Sequence, residues 1–424
     1  MSAQPILTEI GPKMRLLRVK CPNTKTTCLS IVLKMPLLKN TAEYFVLSSF
    51  LSHTSKAYPS LSRLNARLEE LYGAVLYAGA TKLGESYCLR FSLTCLKDAL
   101  ALDGERLSQS ALELLLDLIL NPLAEDGKFN EKQFETELRI AIEDIESTLN
   151  DKRAYALGRM VETMCKDEAY GISKETLLKE VKKVTPESLF LAWQELLSEA
   201  IVSITVVGEQ DFDNLKSLLE SRFGALSDRH PVEIKTVYKN TVEEVKALSE
   251  DMDVNQSKLV LGFRTDMQNK KDRYFAHRIM TDMFGGGPYS KLFLEVREKK
   301  SLCYYCAARL DRLKGLLIVQ SGIEKKNKEA AQKEILLQLQ KMQAGDFSDE
   351  DLAASKAALC DAFRGIEDTA EGIDAFYAYK LDDTVETPKD IVDGLSRVTR
   401  EDVIAAAKGV KLDTVYFLAG KEEV

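Results

Sequence analysis

A repeat half the length of the chain limits what it can fold into more than any other feature. The segment "VTPESLFLAWQELLSEAIVSITVVGEQ", Val184 to Gln210, is echoed by "VTREDVIAAAKGVKLDTVYFLAGKE", Val398 to Glu422. Val184-Thr185 and Val398-Thr399 stand 214 positions apart, and Gly208 and Gly420 stand 212 apart. Each copy reads as a Thr N-cap, a helix, an apolar strand and a closing glycine. The Thr oxygen can accept a hydrogen bond from the first-turn N–H groups, and Pro186 suits the first helical position. A period this long in 424 residues means two copies of one domain, not a short-period solenoid.

The rest of each half fits the same plan. "TTCLSIVLKMPL" and "YCLRFSLTCL" are strand-like in the first half, as are "SKLVLGFRTDM" and "GLLIVQSGI" in the second. Helical periodicity runs through "SLSRLNARLEELYG", "QSALELLLDLILNP" and "EKQFETELRIAIEDIESTLND" in the first half. It returns in "DRYFAHRIMTDMFG", "NKEAAQKEILLQLQKMQ" and "DEDLAASKAALCDAFRGIED" in the second. The expected class is α+β: two homologous domains, each an antiparallel sheet with helices packed mainly on one face. Residues 1–225 form the first domain and 241–424 the second. Residues 226–240, which hold Pro231 and lack helical periodicity, form the linker.

Acidic residues outnumber basic ones 66 to 58, for a net charge of -8, which argues against nucleic acid and anionic membranes as partners. The first twenty residues lack a continuous apolar run, and the most apolar stretch, "ALELLLDLIL", carries Glu113 and Asp117. A cytoplasmic location is expected. The eight cysteines are scattered as buried thiols would be. Cys303 and Cys306 have CxxC spacing, but "SLCYYCAARL" reads as a strand, which would send i and i+3 to opposite faces and leave them structural.

Several chemistries are missing. His53, His230 and His277 are the only histidines, so neither HExxH nor HxxEH can be written. Those motifs place two imidazoles one helical turn apart on Zn²⁺, with a glutamate as base. GxxxxGK[ST], GxGxxG and GxSxG are also absent. The positive signal is "MFGGGPYSKLFLEVREKKSLCYYCAARL". A helix ends at Gly285-Gly286-Gly287, Pro288 opens another with Leu292, Phe293 and Val296 buried, and a strand with Tyr304 follows. Taken alone, the glycines read as helix punctuation, Arg297 as a solvated charge and Tyr304 as a sheet residue.

This run resembles the C-terminal half of the pitrilysin, insulinase and mitochondrial processing peptidase family. The matching residues are Ser290, Leu292-Phe293, Val296-Arg297-Glu298 and Leu302-Cys303-Tyr304, with Arg297 and Tyr304 at the family's seven-residue spacing. The family's two similar α+β halves extend the likeness over nearly the whole chain. Active members carry HxxEH on the first helix of the first half, ahead of a loop that resembles "TSKAYPS", Thr54 to Ser60. Counting back puts Phe45 at the first histidine, Ser48 at the glutamate and Ser49 at the second histidine of "NTAEYFVLSSFLS", where Asn40 and Glu43 form an expected capping box. Asp144, beside Glu143, falls at the third ligand.

The resemblance implies a subunit with a degenerate zinc site that binds no metal and has no peptidase activity alone. In the short bacterial branch such chains pair with an active HxxEH homologue that holds the zinc. Some of these pairs are connected with lysine modification of elongation factor P. Arg297 and Tyr304 would then act in the partner's site on an extended peptide substrate. The alternative is a non-catalytic peptide-binding or scaffold homodimer in which both residues are relics.

Overall fold

The structure is a computed structural model that describes residues 5–208, 211–224, 226, 229–267, 271–380 and 385–420. Residues 227–228 of the expected linker lie outside them. In the first half the principal elements are β1 (Ile6–Gly11), β2 (Met14–Val19), β3 (Thr26–Pro36), α1 (Thr41–His53), α2 (Leu61–Glu70), β4 (Val75–Leu83) and β5 (Ser86–Leu96). They continue with α3 (Leu107–Leu120), α4 (Glu131–Asn150), α5 (Lys152–Met164), α6 (Pro186–Glu199) and β6 (Ile201–Val207). The second half holds β7 (Lys246–Asp251), β8 (Ser257–Arg264), α7 (Lys271–Gly285), α8 (Leu292–Lys299), β9 (Tyr305–Asp311) and β10 (Leu316–Ile323). It ends with α9 (Lys328–Ala344), α10 (Asp349–Arg364), α11 (Ala370–Tyr377), α12 (Arg400–Lys408) and β11 (Lys411–Ala419).

The duplication is visible in the sheet orders. The first sheet runs β1-β2-β6-β3-β5-β4 and the second β7-β11-β8-β10-β9. The second therefore repeats the first with β7 for β2, β11 for β6, β8 for β3, β10 for β5 and β9 for β4. Both are antiparallel except for one parallel pair each, β2 with β6 and β7 with β11. The repeat found in the sequence supplies matching helix starts. Thr185 and Thr399 are N-caps with complete capping boxes, to Ser188 and Asp402 respectively. Asn40 does not behave this way. Its backbone is left-handed (φ 50°), its side chain caps nothing, and its amide nitrogen donates instead to Glu195 at 3.1 Å. The β-region backbone that an N-cap needs is therefore lost at this start.

Two compact units emerge, and neither is one uninterrupted stretch of chain. The first comprises residues 1–145, 176–235 and 364–388, and the second 146–175, 236–363 and 389–424. Each sheet borrows a helix from the other half of the sequence. In the first unit α11 places Ala370, Ile373 and Tyr377 against Leu17, Val19, Cys28 and Val207. Cys28, Ser30 and Val32 of β3 face α11, so strand alternation turns Leu29, Ile31 and Leu33 toward the side where α1 and α3 pack. The fully buried Asp374 of α11 accepts hydrogen bonds from Ser30 and Arg90.

The second unit uses α5 in the same way. Met160 and Met164 pack on Val260, Ile318, Tyr416 and Leu418. Gly262 lets the helix approach: a Cβ there would lie 2.6 Å from the Met160 sulfur and 2.7 Å from that of Met164. The segment after α5 is tied by charge, because Glu168 meets Arg264 and Lys314 at 2.7 Å each, with all three side chains at 2% exposure or less. The Glu168 carboxyl is desolvated, yet hydrogen bonds from Lys314 and Arg264 hold it below its ordinary range.

Candidate functional site

Two places follow from the sequence, one in each unit. The first is the face of α1. Phe45 and Ser49 are half-buried and Ser48 is buried, at the spacing expected for one helical face. Ser48 turns its hydroxyl back to the Phe45 carbonyl at 2.8 Å. Ser49 donates to Glu137 Oε2 at 2.5 Å, and the other oxygen, Oε1, lies 2.7 Å from His53 Nδ1. Glu137 is only 3% exposed, and its carboxylate is accommodated by these two α1 side chains one turn apart. The hydrogen bond to Glu137 raises the His53 imidazole above its ordinary 6.5, although partial burial opposes it.

Asp144 sits two turns further along α4 and is exposed. Its charge reaches the buried Tyr87 of β5, whose phenol is pushed up first by burial and then by Asp144. Sequence reasoning missed Glu137 and His53. The available signal was the i, i+4 spacing of Ser49 and His53, which puts a histidine on the same face one turn past the expected second-ligand position. Among the described residues no group of three or more His, Cys, Asp and Glu side chains could hold a metal ion. A serine hydroxyl is a poor Zn²⁺ ligand beside imidazole or thiolate, so the donor set on this face does not fit zinc.

The second place is built by α7, α8 and the start of β9. The glycines at the end of α7 and just after it allow close packing and do not adopt positive φ: a Cβ on Gly285, the last residue of α7, would lie 2.7 Å from the backbone nitrogen of Ala308 in β9. The helix α8 is wide-turned, with Lys300 N–H donating to the Glu295 carbonyl at 3.2 Å. Leu292 and Val296 are its fully buried anchors. Ser301 ends it in the left-handed conformation (φ 50°), and the chain enters β9 only at Tyr305.

This geometry brings Arg297 and Tyr304 together in the wall of one cavity of about 380 Å³, with Glu298, Ser301, Leu302, Cys303, Glu324 and Asn327. The Arg297 guanidinium stacks 4.6 Å above the Phe293 ring, and its Nε is 3.4 Å from Glu298. The Tyr304 N–H is fixed to the Gly322 carbonyl at 2.9 Å, while the residue is 55% exposed. A guanidinium and a phenol presented this way can donate hydrogen bonds to carbonyl oxygens of a molecule outside the unit.

One expectation fails here. Cys303 and Cys306 do not alternate across a strand, because Cys303 precedes β9. Cys303 lines the cavity, and Cys306 lies within β9 opposite Ser321. All eight cysteines are buried thiols. His277, 1% exposed, is a packed residue held by the Arg273 carbonyl at 2.8 Å and Asp266 at 3.2 Å.

The duplicated α+β halves, an α1 face without imidazole ligands and an exposed Arg/Tyr pair define a metallopeptidase-like chain lacking HxxEH. The comparisons agree with that class. A family model described as "Peptidase M16 inactive domain" matches residues 183–359. A Bacillus subtilis (strain 168) protein described as "Probable inactive metalloprotease YmfF" is 33% identical over 406 residues, 95% of each chain. The chain belongs to the M16 peptidase family. Among solved structures, a conserved protein from Enterococcus faecalis V583 has a TM-score of 0.89 at 26% identity and 99% coverage of each chain. A peptidase M16 inactive domain from Pseudomonas fluorescens shares the fold at TM-score 0.80 and 17% identity, with 100% of each chain covered.

Proposed function

We propose that this chain is the non-catalytic subunit of a two-chain zinc peptidase. It pairs with an HxxEH homologue, helps hold an extended peptide and presents Arg297 and Tyr304 to the partner's zinc site. The observation that carries the reading is the Arg/Tyr pair itself, gathered in one cavity with the phenol exposed, in a chain whose α1 face lacks zinc ligands. Hydrolysis of a peptide builds negative charge on the scissile carbonyl oxygen, and a phenol aimed there stabilises it. Losing one such donor typically costs about 2.7–4 kcal/mol. Arg297 would hold a neighbouring peptide carbonyl. The peptide would add as a strand to a sheet edge. The β4 edge suits this, because it lies beside α1 and exposes Val75 and Tyr77. The proposed setting is cytoplasmic, and no described helix is long and apolar enough to cross a membrane.

The test is reconstitution with an HxxEH homologue from the same genome. The purified chain alone should bind no stoichiometric zinc and cleave no peptide, whereas the mixture should form a stable complex that does. In that complex Tyr304→Phe should lower turnover about 10²–10³-fold with assembly intact. Unchanged turnover would favour the scaffold reading, in which the pair are relics, and tight zinc binding by the isolated chain would sink the degenerate-site reading.

A further inference from the structure

The face of the second sheet that α5 covers carries a pair of cations with no part in the role proposed above. Lys258 of β8, Gly322 of β10 and Tyr305 of β9 are directly opposed across three neighbouring strands, so their side-chain positions share one face. Glycine at 322 makes room for its neighbours: a Cβ there would lie 2.4 Å from Tyr305 Cε1 and 2.5 Å from Gln256 Oε1. Gln256 Oε1 accepts a hydrogen bond from Lys258 Nζ at 2.5 Å. Arg153, at the start of α5, brings its guanidinium 4.5 Å from the centroid of the Tyr305 ring, and Lys258 Nζ lies 5.8 Å from the same centroid.

Two cations therefore meet on one half-buried ring. Among the described residues neither has a carboxylate within ion-pair distance, although a half-buried charge is normally paired. The opposing charge that Lys258 feels is that of Asp151, whose carboxylate is already engaged as the N-cap of α5, accepting from the Arg153 and Ala154 N–H groups. Burial, and next the Arg153 charge, hold the Lys258 ammonium below its ordinary range, as befits a cation that lacks an anion.

We propose that Arg153 and Lys258 bind a carboxylate of the peptide, either its C-terminal group or an acidic side chain, beside the Tyr305 ring. This rests on the peptide-holding role argued above and names the class of peptide held. The guanidinium offers a planar pair of N–H donors and the ammonium a mobile point charge, which together match the two oxygens of one carboxylate. The whole chain carries a net charge of -8, so its overall field repels acidic peptides, and a preference for them has to come from a local site. Because Tyr305 directly follows Tyr304, the captured carboxylate would fix which bond comes to lie at the Tyr304 phenol.

The experiment uses the full chain alone and fluorescence anisotropy. The probes are short peptides of uncharged residues, labelled at the N-terminus with an uncharged dye. One pair ends in a free carboxylate or an amide, and a second, amidated pair carries a central Asp or Asn. At least one carboxylate peptide should bind about 10–100-fold tighter than its neutral twin, the worth of one charge-assisted hydrogen bond, and added salt should narrow the gap. A gain in the first pair alone assigns the site to the chain end, a gain in the second alone to a side chain, and a gain in both to any carboxylate. Arg153→Gln and Lys258→Gln should each narrow the gap. Lys183→Gln, which alters a lysine of the first unit paired with Glu180 at 2.7 Å, should keep it. Equal affinity within both pairs would overturn the inference and leave the peptide-holding role standing, whereas no binding of any probe would overturn both. A gap that survives both substitutions would place the carboxylate elsewhere and overturn the inference too. Should Lys258→Gln fail to fold by circular dichroism, Arg153→Gln, at an exposed position, decides.

Discussion

Ser49 of α1 donates its hydroxyl to the buried carboxylate of Glu137 in α4 at 2.5 Å. A carboxylate at 3% exposure needs donors, and α1 provides Ser49 and His53 from successive turns. Ser49 and His53 thereby hold α1 against α4, while Ser48 bonds back to the Phe45 carbonyl of its own helix.

Glu137→Gln should return the His53 titration toward 6.5, read by NMR of its ring protons. The sign of the stability effect follows. A histidine raised in the folded state contributes stability that is fully present below 6.5 and is lost as pH rises through the folded value. Urea melts of the wild type should therefore show this contribution on the acid side, and the variant should lack it. An identical pH dependence in both proteins would remove His53 from the cluster.

Thr185→Ala and Thr399→Ala test the duplication energetically. Each removes an N-cap oxygen from a complete capping box, which typically costs about 0.5–2 kcal/mol. The two losses should be similar, and the double variant should lose their sum, because the caps serve different units. Denaturant midpoints at constant slope would report this. A large loss at one position and none at the other would show that the matching sequences do unequal work.

Much of the fold was legible because the repeat, the strand runs and the helical periodicities depend on local pattern. Strand β3, expected over 26–37, spans Thr26–Pro36, and the expected 327–343 helix spans Lys328–Ala344. The exchange of α5 and α11 between units was not legible, because periodicity shows that a helix has an apolar face but not which sheet covers it. The place of Cys303 outside the strand was missed for a similar reason: "SLCYYCAARL" has strand composition, yet the chain passes through the left-handed Ser301 and the strand starts only at Tyr305. Arg297 and Tyr304 could be found only through the fixed spacing of the family's motif, since neither residue type signals a site alone.

Glu168→Ala should be the most destabilising of these changes. It takes one carboxylate from both Arg264 and Lys314, which are 2% and 0% exposed and would keep Asp413 at 3.1 Å and the Val237 carbonyl at 2.8 Å respectively, and breaking a buried pair typically costs about 3–5 kcal/mol. Hydrogen exchange should rise in α5, which the Glu168 segment follows, more than in α11. The pH dependence has the opposite sign to that of His53. A carboxyl held below its ordinary 4.5 contributes stability above that value and loses it as pH falls through the folded value. The wild type should therefore lose an acid-sensitive increment that the variant lacks. Equal acid sensitivity would place the stability of this segment in the Met160 and Met164 packing instead.

Arg297→Lys, made in the reconstituted complex, separates peptide positioning from transition-state stabilisation. Lysine keeps the charge but loses the planar fork and its stacking 4.6 Å above Phe293. If Arg297 holds a peptide carbonyl in ground and transition states alike, its loss should raise KM and leave kcat nearly unchanged. The rise should be about 10–100-fold, the worth of one charge-assisted hydrogen bond of about 1.5–3 kcal/mol. Tyr304→Phe should do the reverse, lowering kcat with little change in KM, because an oxyanion exists only on the reaction path. Steady-state kinetics on both variants therefore gives two opposed signatures from residues seven positions apart in one cavity wall. Equal effects of both changes on kcat would assign both residues to the transition state, and no effect of either would leave the cavity without a role in hydrolysis.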